Sequence, residues 1–377
     1  MELTLNRKNF LAAVDRVIDV TKARSTVPVL GHVLVDVTAY DVRLSATDLE
    51  IGITTSLSAD GASRLTEPAA FTLHAAKLHD ILKASDSETV TIRSLDHDWY
   101  QLVAGRAKFK LMGLDPRSFP AMPAPENSSL PSASLTIAAE VLCKMIDRTI
   151  FAVSPDEARY NLAGIYLTST EGGVRMVATD GHRIAIVERE APGFVSPKNG
   201  VIVPRKAMAV MRKMLADVEA DVTLNVNGLI AGLTTADSSL TCRLVEGEFP
   251  DYTGVIPKEE KVKIVVHRDA WLAALKRTLL MANEKCSGIK ISFGENELSL
   301  SSTAPEVGEA HETLDVNIVK PDKPFDIGFN GKYLMDVLSV LPESSLAVLS
   351  LIDEKSAAKI TTDSDMAYQY IAMPVRL

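Results

Sequence analysis

A chain of 377 residues is longer than one ordinary hydrophobic core serves, so two or three domains are expected. Its 46% hydrophobic and 24% charged residues are usual for a globular protein, no apolar run is long enough for a membrane span, and charged residues from Glu2 to Asp19 exclude an apolar signal segment at the start. Three scattered cysteines (Cys143, Cys242, Cys286) point to a reducing compartment without a disulfide framework, and the net charge of −9 argues against a simple basic nucleic-acid binder.

In chain order, Leu3-Thr4-Leu5 has a strand pattern and leads to Asn6, a helix-capping residue. Phe10, Leu11, Val14, Val17 and Ile18 then form the apolar stripe of an amphipathic helix. An offset of 132 repeats this: Leu135-Thr136-Ile137, then Leu142, Cys143, Ile146, Thr149 and Ile150. An offset of 261 repeats it again as Ile264-Val265-Val266, then Trp271, Leu272, Leu275, Thr278 and Leu279, and Arg16, Arg148 and Arg277 keep the same phase.

A second helix recurs as Leu78, Ile81 and Leu82, then Met208 and Met211 with Arg212 breaking the pattern, then Leu334, Val337 and Leu338. Strand patterns lie between the helices, among them Val42–Ser56, Thr89–Ser94 and Phe109–Met112. Phe119-Pro120 and Phe249-Pro250 stand 130 apart, each followed by a linker-like stretch, 121–134 and 251–263. A period this long is not a solenoid; it predicts three duplicated α+β domains, each with two helices on antiparallel sheets, at 1–125, 133–252 and 260–377.

The expected helices span 6–24, 74–84, 138–153, 204–217, 267–285 and 330–341. They hold 18 basic and nine acidic residues, and the remainder holds 22 basic and 40 acidic. Such a split lets helices face a polyanion while the rest of the surface repels it. Basic residues are also good helix formers, but so is Glu, and only Glu140 and Glu284 fall in these stretches.

Val177-Ala178-Thr179-Asp180-Gly181-His182-Arg183-Ile184-Ala185 reads as strand, tight turn and strand, with Asp180-Gly181 as the turn. It resembles the Ala-Thr-Asp-Gly-His-Arg-(Leu/Ile)-Ala signature of the bacterial DNA polymerase III β subunits, the sliding clamps. The ending Met373-Pro374-Val375-Arg376-Leu377 is similar to that family's Met-Pro-Met-Arg-Leu. The resemblance covers the whole chain and implies the DNA-clamp fold. Three domains per protomer would form a head-to-tail homodimeric ring, with helices lining the hole around double-stranded DNA, bound without sequence preference. It implies a non-catalytic processivity factor that needs no cofactor or metal and acts in the cytoplasm at the nucleoid.

The resemblance further implies a cleft for Gln-Leu-x-Leu-Phe-type peptides between domains two and three. The peptides would come from the polymerase III α subunit, the clamp loader δ subunit, other polymerases and repair proteins. Carried over by motif, the cleft would include Leu162, Thr179, Gly181, His182, Arg183, Ile184, Pro250, Val255, Asn330, Tyr333, Met373, Pro374, Val375, Arg376 and Leu377. DNA contacts would fall on Arg24, Arg159, Tyr160, Arg205 and Lys206. The dimer contact would set Arg106, Phe109 and Leu111 against Leu280 and Met281. Gly254, Cys286 and Lys355 depart from the best-known family pattern and bear on what the cleft prefers.

Two rival classes make different demands on the sequence. Asp180, His182 and Arg183 could be acid–base groups of an enzyme, but no nucleophile elbow, P-loop, His-Glu-x-x-His or Cys-x-x-Cys is present, and the seven His and three Cys lack metal-ligand spacing. A scaffold without a DNA role would be marked by loss of the basic helix faces, which this chain retains.

Overall fold

The computed structural model describes every residue except 22–25, 39–40, 59–68, 125–131, 157, 198, 284–285, 295, 320–324 and 377. The element order repeats three times. The first repeat runs β1 (Glu2–Asn6), α1 (Arg7–Val17), β2 (His32–Val37), β3 (Asp41–Thr47), β4 (Ile51–Ser58), β5 (Ala69–His74), α2 (Ala75–Ala84), β6 (Thr89–Ser94), β7 (Trp99–Ala104) and β8 (Ala107–Met112). The second runs β9 (Ser132–Ala138), α3 (Ala139–Asp147), β10 (Gly164–Thr170), β11 (Gly173–Thr179), β12 (Arg183–Glu190), β13 (Val201–Pro204), α4 (Arg205–Met214), β14 (Asp221–Asn227), β15 (Ile230–Thr234) and β16 (Ser238–Arg243). The third runs β17 (Val262–His267), α5 (Arg268–Thr278), β18 (Gly288–Phe293), β19 (Glu297–Ala304), β20 (Gly308–Asp315), β21 (Asn317–Val319), β22 (Ile327–Asn330), α6 (Gly331–Val340), β23 (Leu346–Leu351), β24 (Ala358–Thr362) and β25 (Asp365–Ala372). Among the described residues the small strand β21 is the one strand without a counterpart in the other repeats.

The first helix of each repeat shows why the stripe recurs. Phe10, Val14 and Val17 are buried in α1, Leu142, Cys143 and Ile146 in α3, and Trp271, Leu272 and Leu275 in α5. Thr149 and Thr278 stand where α1 has Val17. Both are buried, and their hydroxyls donate to carbonyls one turn back, Met145 at 2.8 Å and Ala274 at 2.9 Å. The last stripe members, Ile18, Ile150 and Leu279, are half-buried and begin a 3₁₀ turn (Ile18–Val20, Ile150–Ala152, Leu279–Met281). These helices are therefore shorter than the stripes predict. The tighter turn takes over where the chain must leave the helix, and its i→i+3 bonds satisfy the terminal carbonyls. Val42–Ser56 likewise resolves into two strands, β3 and β4, with a turn between them.

The described residues fall into two compact units: Met1–Cys143 with Lys206–Leu244, and Lys144–Arg205 with Val245–Leu377. Each is built on a sheet fused from two repeats. In the first unit the order is β5-β2-β3-β4-β16-β15-β14-β9, joined at β4/β16 with Leu240 opposite Ile53. In the second it is β13-β10-β11-β12-β25-β24-β23-β17-β21, joined at β12/β25 with Ile184 opposite Ile371. Each unit also carries a four-stranded sheet, β1-β6-β7-β8 in the first and β20-β19-β18-β22 in the second. The arginines that keep phase brace the fused sheets: Arg16 at the end of α1 pairs with Asp237 beside β16, and Arg148 after α3 pairs with Asp365 at the start of β25. Arg277 pairs with Glu312 on β20.

Among the described residues no helix is long and apolar enough to cross a membrane.

In the first unit Lys206 Nζ lies 2.7 Å from Asp48 Oδ2 and 3.2 Å from the Val20 carbonyl, while Asp48 is 4% exposed. Removing the ammonium takes the paired cation from a buried carboxylate, so Lys206→Ala should cost about 2 kcal/mol and lower the melting temperature by about 4–8 °C. Arg205→Ala, at an exposed neighbour, should shift it by no more than about 1 °C. Differential scanning calorimetry of the two variants checks this.

Candidate functional site

The turn joining β11 to β12 is held by its own side chains. Asp180 Oδ1 accepts the backbone N–H of His182 at 2.9 Å and of Arg183 at 3.1 Å. The Thr179 hydroxyl donates to the Arg183 carbonyl at 2.6 Å and accepts from Gly181 N at 3.1 Å. Gly181 sits at φ +89°, a left-handed conformation that costs glycine nothing. The same turn occurs in the first unit, at Thr47-Asp48-Leu49-Glu50 between β3 and β4. Asp48 Oδ1 accepts from Glu50 and Ile51, the Thr47 hydroxyl donates to the Ile51 carbonyl, and Leu49 takes φ +80°. The offset of 132 that relates α1 to α3 also carries Ala46-Thr47-Asp48 onto Ala178-Thr179-Asp180, and that identity was the available signal for the second turn.

Arg183 follows the turn and is 8% exposed. Its Nε donates to Asp180 Oδ2 at 3.0 Å, one terminal nitrogen to Asp336 Oδ2 on α6 at 2.6 Å, and the other to the Phe151 carbonyl at 2.7 Å. The guanidinium lies 4.2 Å from the Tyr333 ring centre and 5.5 Å from that of Phe151. Burial opposes its charge, but Tyr370, Asp336 and Asp180 outweigh burial and hold its pKa above the ordinary value. Burial, followed by Asp180, raises the Tyr333 phenol, and burial raises Tyr370, whose hydroxyl donates to the Tyr333 carbonyl at 2.9 Å. Arg183 is thus bonded on three sides rather than free to act as an acid or base.

Around this wall the structure gathers most of the expected cleft. Ile184 packs with Val177, Ile186, Tyr252 and Ile371, flanked by Tyr166, Phe249 and Ile256. Burying one such aliphatic side chain contributes about 1.5–3 kcal/mol. Pro250 is exposed beside Phe249, and Val255 is 41% exposed beside Ile256. Buried Leu162 follows Arg159, whose guanidinium donates to the Asp180 carbonyl at 3.2 Å and so ties that segment to the turn. Asn330 caps α6 by accepting from Lys332 N. The tail crosses past the end of β25: Met373 N donates to the His182 carbonyl at 2.9 Å and Val375 N to the Gly328 carbonyl at 2.8 Å. Met373, Arg376 and His182 are exposed, Pro374 and Val375 half-buried. Leu377 lies outside the described residues.

Of the departures, Gly254 has no atom within 4 Å of where a Cβ would stand, Cys286 is exposed, and Lys355 lies in the turn capped by Asp353. Of the expected DNA contacts, Arg24 lies outside the described residues. Arg159 is half-exposed, Tyr160 is 62% exposed, Arg205 is exposed on the first turn of α4, and Lys206 is committed to Asp48. Much helix-borne positive charge is likewise engaged: Arg16, Arg148, Lys213, Arg268 and Arg277 all pair with carboxylates. Of the expected dimer residues, Arg106 is exposed in the turn before β8, Phe109 and Leu111 are half-buried along β8, Met281 is half-buried, and Leu280 is 77% exposed.

Profiles of the DNA polymerase III beta subunit match the chain in sequence: the N-terminal domain over residues 1–123, the central domain over 136–251 and the C-terminal domain over 253–376. The beta sliding clamps of Pseudomonas putida and Caulobacter vibrioides are each 32% identical to the chain, with all of both chains covered. The solved DNA polymerase III beta subunit of Bartonella birtlesii superposes with a TM-score of 0.90 at 32% identity over all of both chains. That of Thermotoga maritima gives 0.87 at 26% identity, covering 100% of this chain and 99% of the other. The chain therefore belongs to the DNA polymerase III beta subunit family, the sliding clamps, which serve replication as non-catalytic processivity factors.

Proposed function

We propose that two copies of this chain close head to tail into a ring around duplex DNA. The ring would tether polymerases, the clamp loader and repair proteins through short peptides bound beside the 179–183 turn. The observation that carries the ring is the joining rule of the sheets. In each unit the third strand after a repeat's first helix (β4, β12) pairs with the last strand of the next repeat (β16, β25). The third repeat's counterpart, β20, and the first repeat's last strand, β8, are each left at a sheet edge. An edge presents unpaired backbone groups, and a second copy can supply both missing partners at once.

The side chains suit that pairing. Arg106, Lys108 and Lys110 make the β8 edge basic, while Glu306, Glu309 and Asp315 make the β20 hairpin acidic. A groove of about 560 Å³ lies between α2 and β8, lined by Ile81, Ala84, Phe109 and Leu111. Leu280 stands in its 3₁₀ turn where Phe151 stands in the second repeat, and the Phe151 ring lies 5.8 Å from that of Tyr370 on β25, the strand that the next repeat contributes to the fused sheet. Leu280 and Met281 of one copy would enter the other's groove. The domains would be 1–125, 133–252 and 260–377. Sedimentation should give twice the 40.8 kDa chain mass. Replacing Leu280 and Met281 together by Glu should give a folded monomer, and a wild-type monomer at micromolar concentration would rule out the ring.

Peptide binding rests on the apolar cluster at Ile184, the Tyr333 wall and the tail. Apolar anchors with a few fixing polar groups are what a short peptide needs. Deleting Met373–Leu377 leaves β25 whole, so it should abolish binding of a Gln-Leu-x-Leu-Phe peptide while the dimer mass stays the same. Peptide affinity that survives the deletion would move the site elsewhere.

DNA would be held by linkage more than by contacts. The chain is acidic and many helix cations are paired, so direct affinity should be modest, salt-sensitive and indifferent to base sequence. Loaded by a clamp loader with ATP onto nicked circular DNA, the protein should stay on the circle at high salt and leave once the DNA is linearised. Equal retention on both forms would overturn the topological mechanism. Arg159→Ala should lower loading efficiency without changing retention on closed circles.

A further inference from the structure

The two units contain the same hydrogen-bonded turn but surround it differently. In the first unit Ile51 occupies the place of Arg183, immediately after the turn. The third residue of its helix α4 is Ala207 where α6 has Tyr333, and the sixth is Val210 where α6 has Asp336. An arginine, an aromatic ring and a carboxylate are thus exchanged as a set for three apolar residues. Asp48, the counterpart of Asp180, takes Lys206 instead. Backbone geometry alone therefore does not separate the two turns.

In the second unit the set is physically joined. Tyr333 and Asp336 are i,i+3 neighbours on α6, on one face of the helix. Asp336 holds one end of the guanidinium at 2.6 Å while Asp180 holds the other at 3.0 Å, so its plane cannot turn. That plane lies 4.2 Å from the Tyr333 ring centre, a cation–π contact that fixes where the ring stands. Asp336 itself remains 42% exposed, and Arg183 keeps Asp180 as a second carboxylate when Asp336 is altered, so the buried guanidinium is not left without a counter-ion.

We propose that Asp336 is a positioning residue for peptide recognition: acting through Arg183, it sets the Tyr333 ring as the wall against which a peptide's apolar side chain packs. This rests on the reading of the cleft above. It adds that the Arg183–Tyr333–Asp336 set makes this turn, and not its twin at Thr47–Glu50, a peptide site. Asp336 need not touch the peptide. Its role is preorganisation, so a ring free to swing binds more weakly because ordering it is charged against binding.

The test is a double-mutant cycle on the full-length protein, read by isothermal titration with the peptide Gln-Leu-Ala-Leu-Phe. Asp336→Asn should weaken binding about tenfold, and Tyr333→Ala by at least as much. The double variant should be no weaker than Tyr333→Ala alone, because Asp336 acts only through the ring. Asp336→Glu should restore most of the affinity. A merely structural carboxylate would shift the melting temperature and leave the two effects independent. Independent effects that multiply, or unchanged affinity in Asp336→Asn, would overturn the proposal while leaving the cleft in place. A wild-type protein that fails to bind the peptide would overturn the cleft and this proposal together.

Discussion

The backbone hydrogen bonds across β4/β16 and β12/β25 are the constraint on which the rest of the structure depends. A repeat folded alone would leave strand edges open at both ends, and each open edge is a row of polar groups without partners. Joining repeats edge to edge removes two pairs of edges. It also commits each helix–sheet layer to its neighbour, because the arginine ending the first helix reaches an acid beside the last strand of the next repeat. Burying apolar faces sets the layers of each unit, while edge pairing sets how many repeats must be strung together.

The same economy explains the two turns. A hairpin needs a compact reversal, and Thr-Asp supplies it by satisfying four backbone groups with two short side chains. The aspartate is then buried and must find a cation. The first unit uses Lys206 from α4, whose long stem leaves the neighbouring positions apolar. The second uses Arg183 from the turn itself, and a guanidinium has more donors than one carboxylate can take. Its spare donors recruit Asp336 and the Phe151 carbonyl, and its flat face recruits Tyr333. Divergence of two duplicated turns thus follows from which cation answers one buried charge.

The layout was largely legible in the sequence because it follows from periodicity. The stripes of Phe10–Ile18, Leu142–Ile150 and Trp271–Leu279 mark helices in the same phase, and burial in the structure repeats at every stripe position except the second, where Leu11 is half-buried and Cys143 and Leu272 are buried. Where the stripes overran, the reason is local: a 3₁₀ turn keeps the apolar spacing for one more residue while the helix has ended. The sheet joints were not legible, since pairing partners such as Ile53 and Leu240 lie far apart in sequence and nothing in either strand names the other. The turn at Asp180 is legible in its motif, but the bonds that bury Arg183 are not, because sequence shows charge and does not show burial. Asp336 was missed for the matching reason: one acidic residue on an amphipathic helix looks like solvent-facing charge until its partner is found 153 positions away.

The charge split between helices and remainder illustrates the limit of counting. Basic residues do concentrate on the helices, but several of them brace the fold: Arg16 and Arg148 against the fused sheets, Lys206 against a buried aspartate, Arg268 against the last carbonyls of α6. A cation already paired with a carboxylate adds little field at a distance, since the pair is close to a dipole and salt screens what remains. The described helices therefore offer a duplex less positive potential than their composition implies. Direct affinity for DNA should then be modest and fall further as salt rises. In the ring proposed above, weak contacts would leave the protein free to move, and the closed path would make tight binding unnecessary.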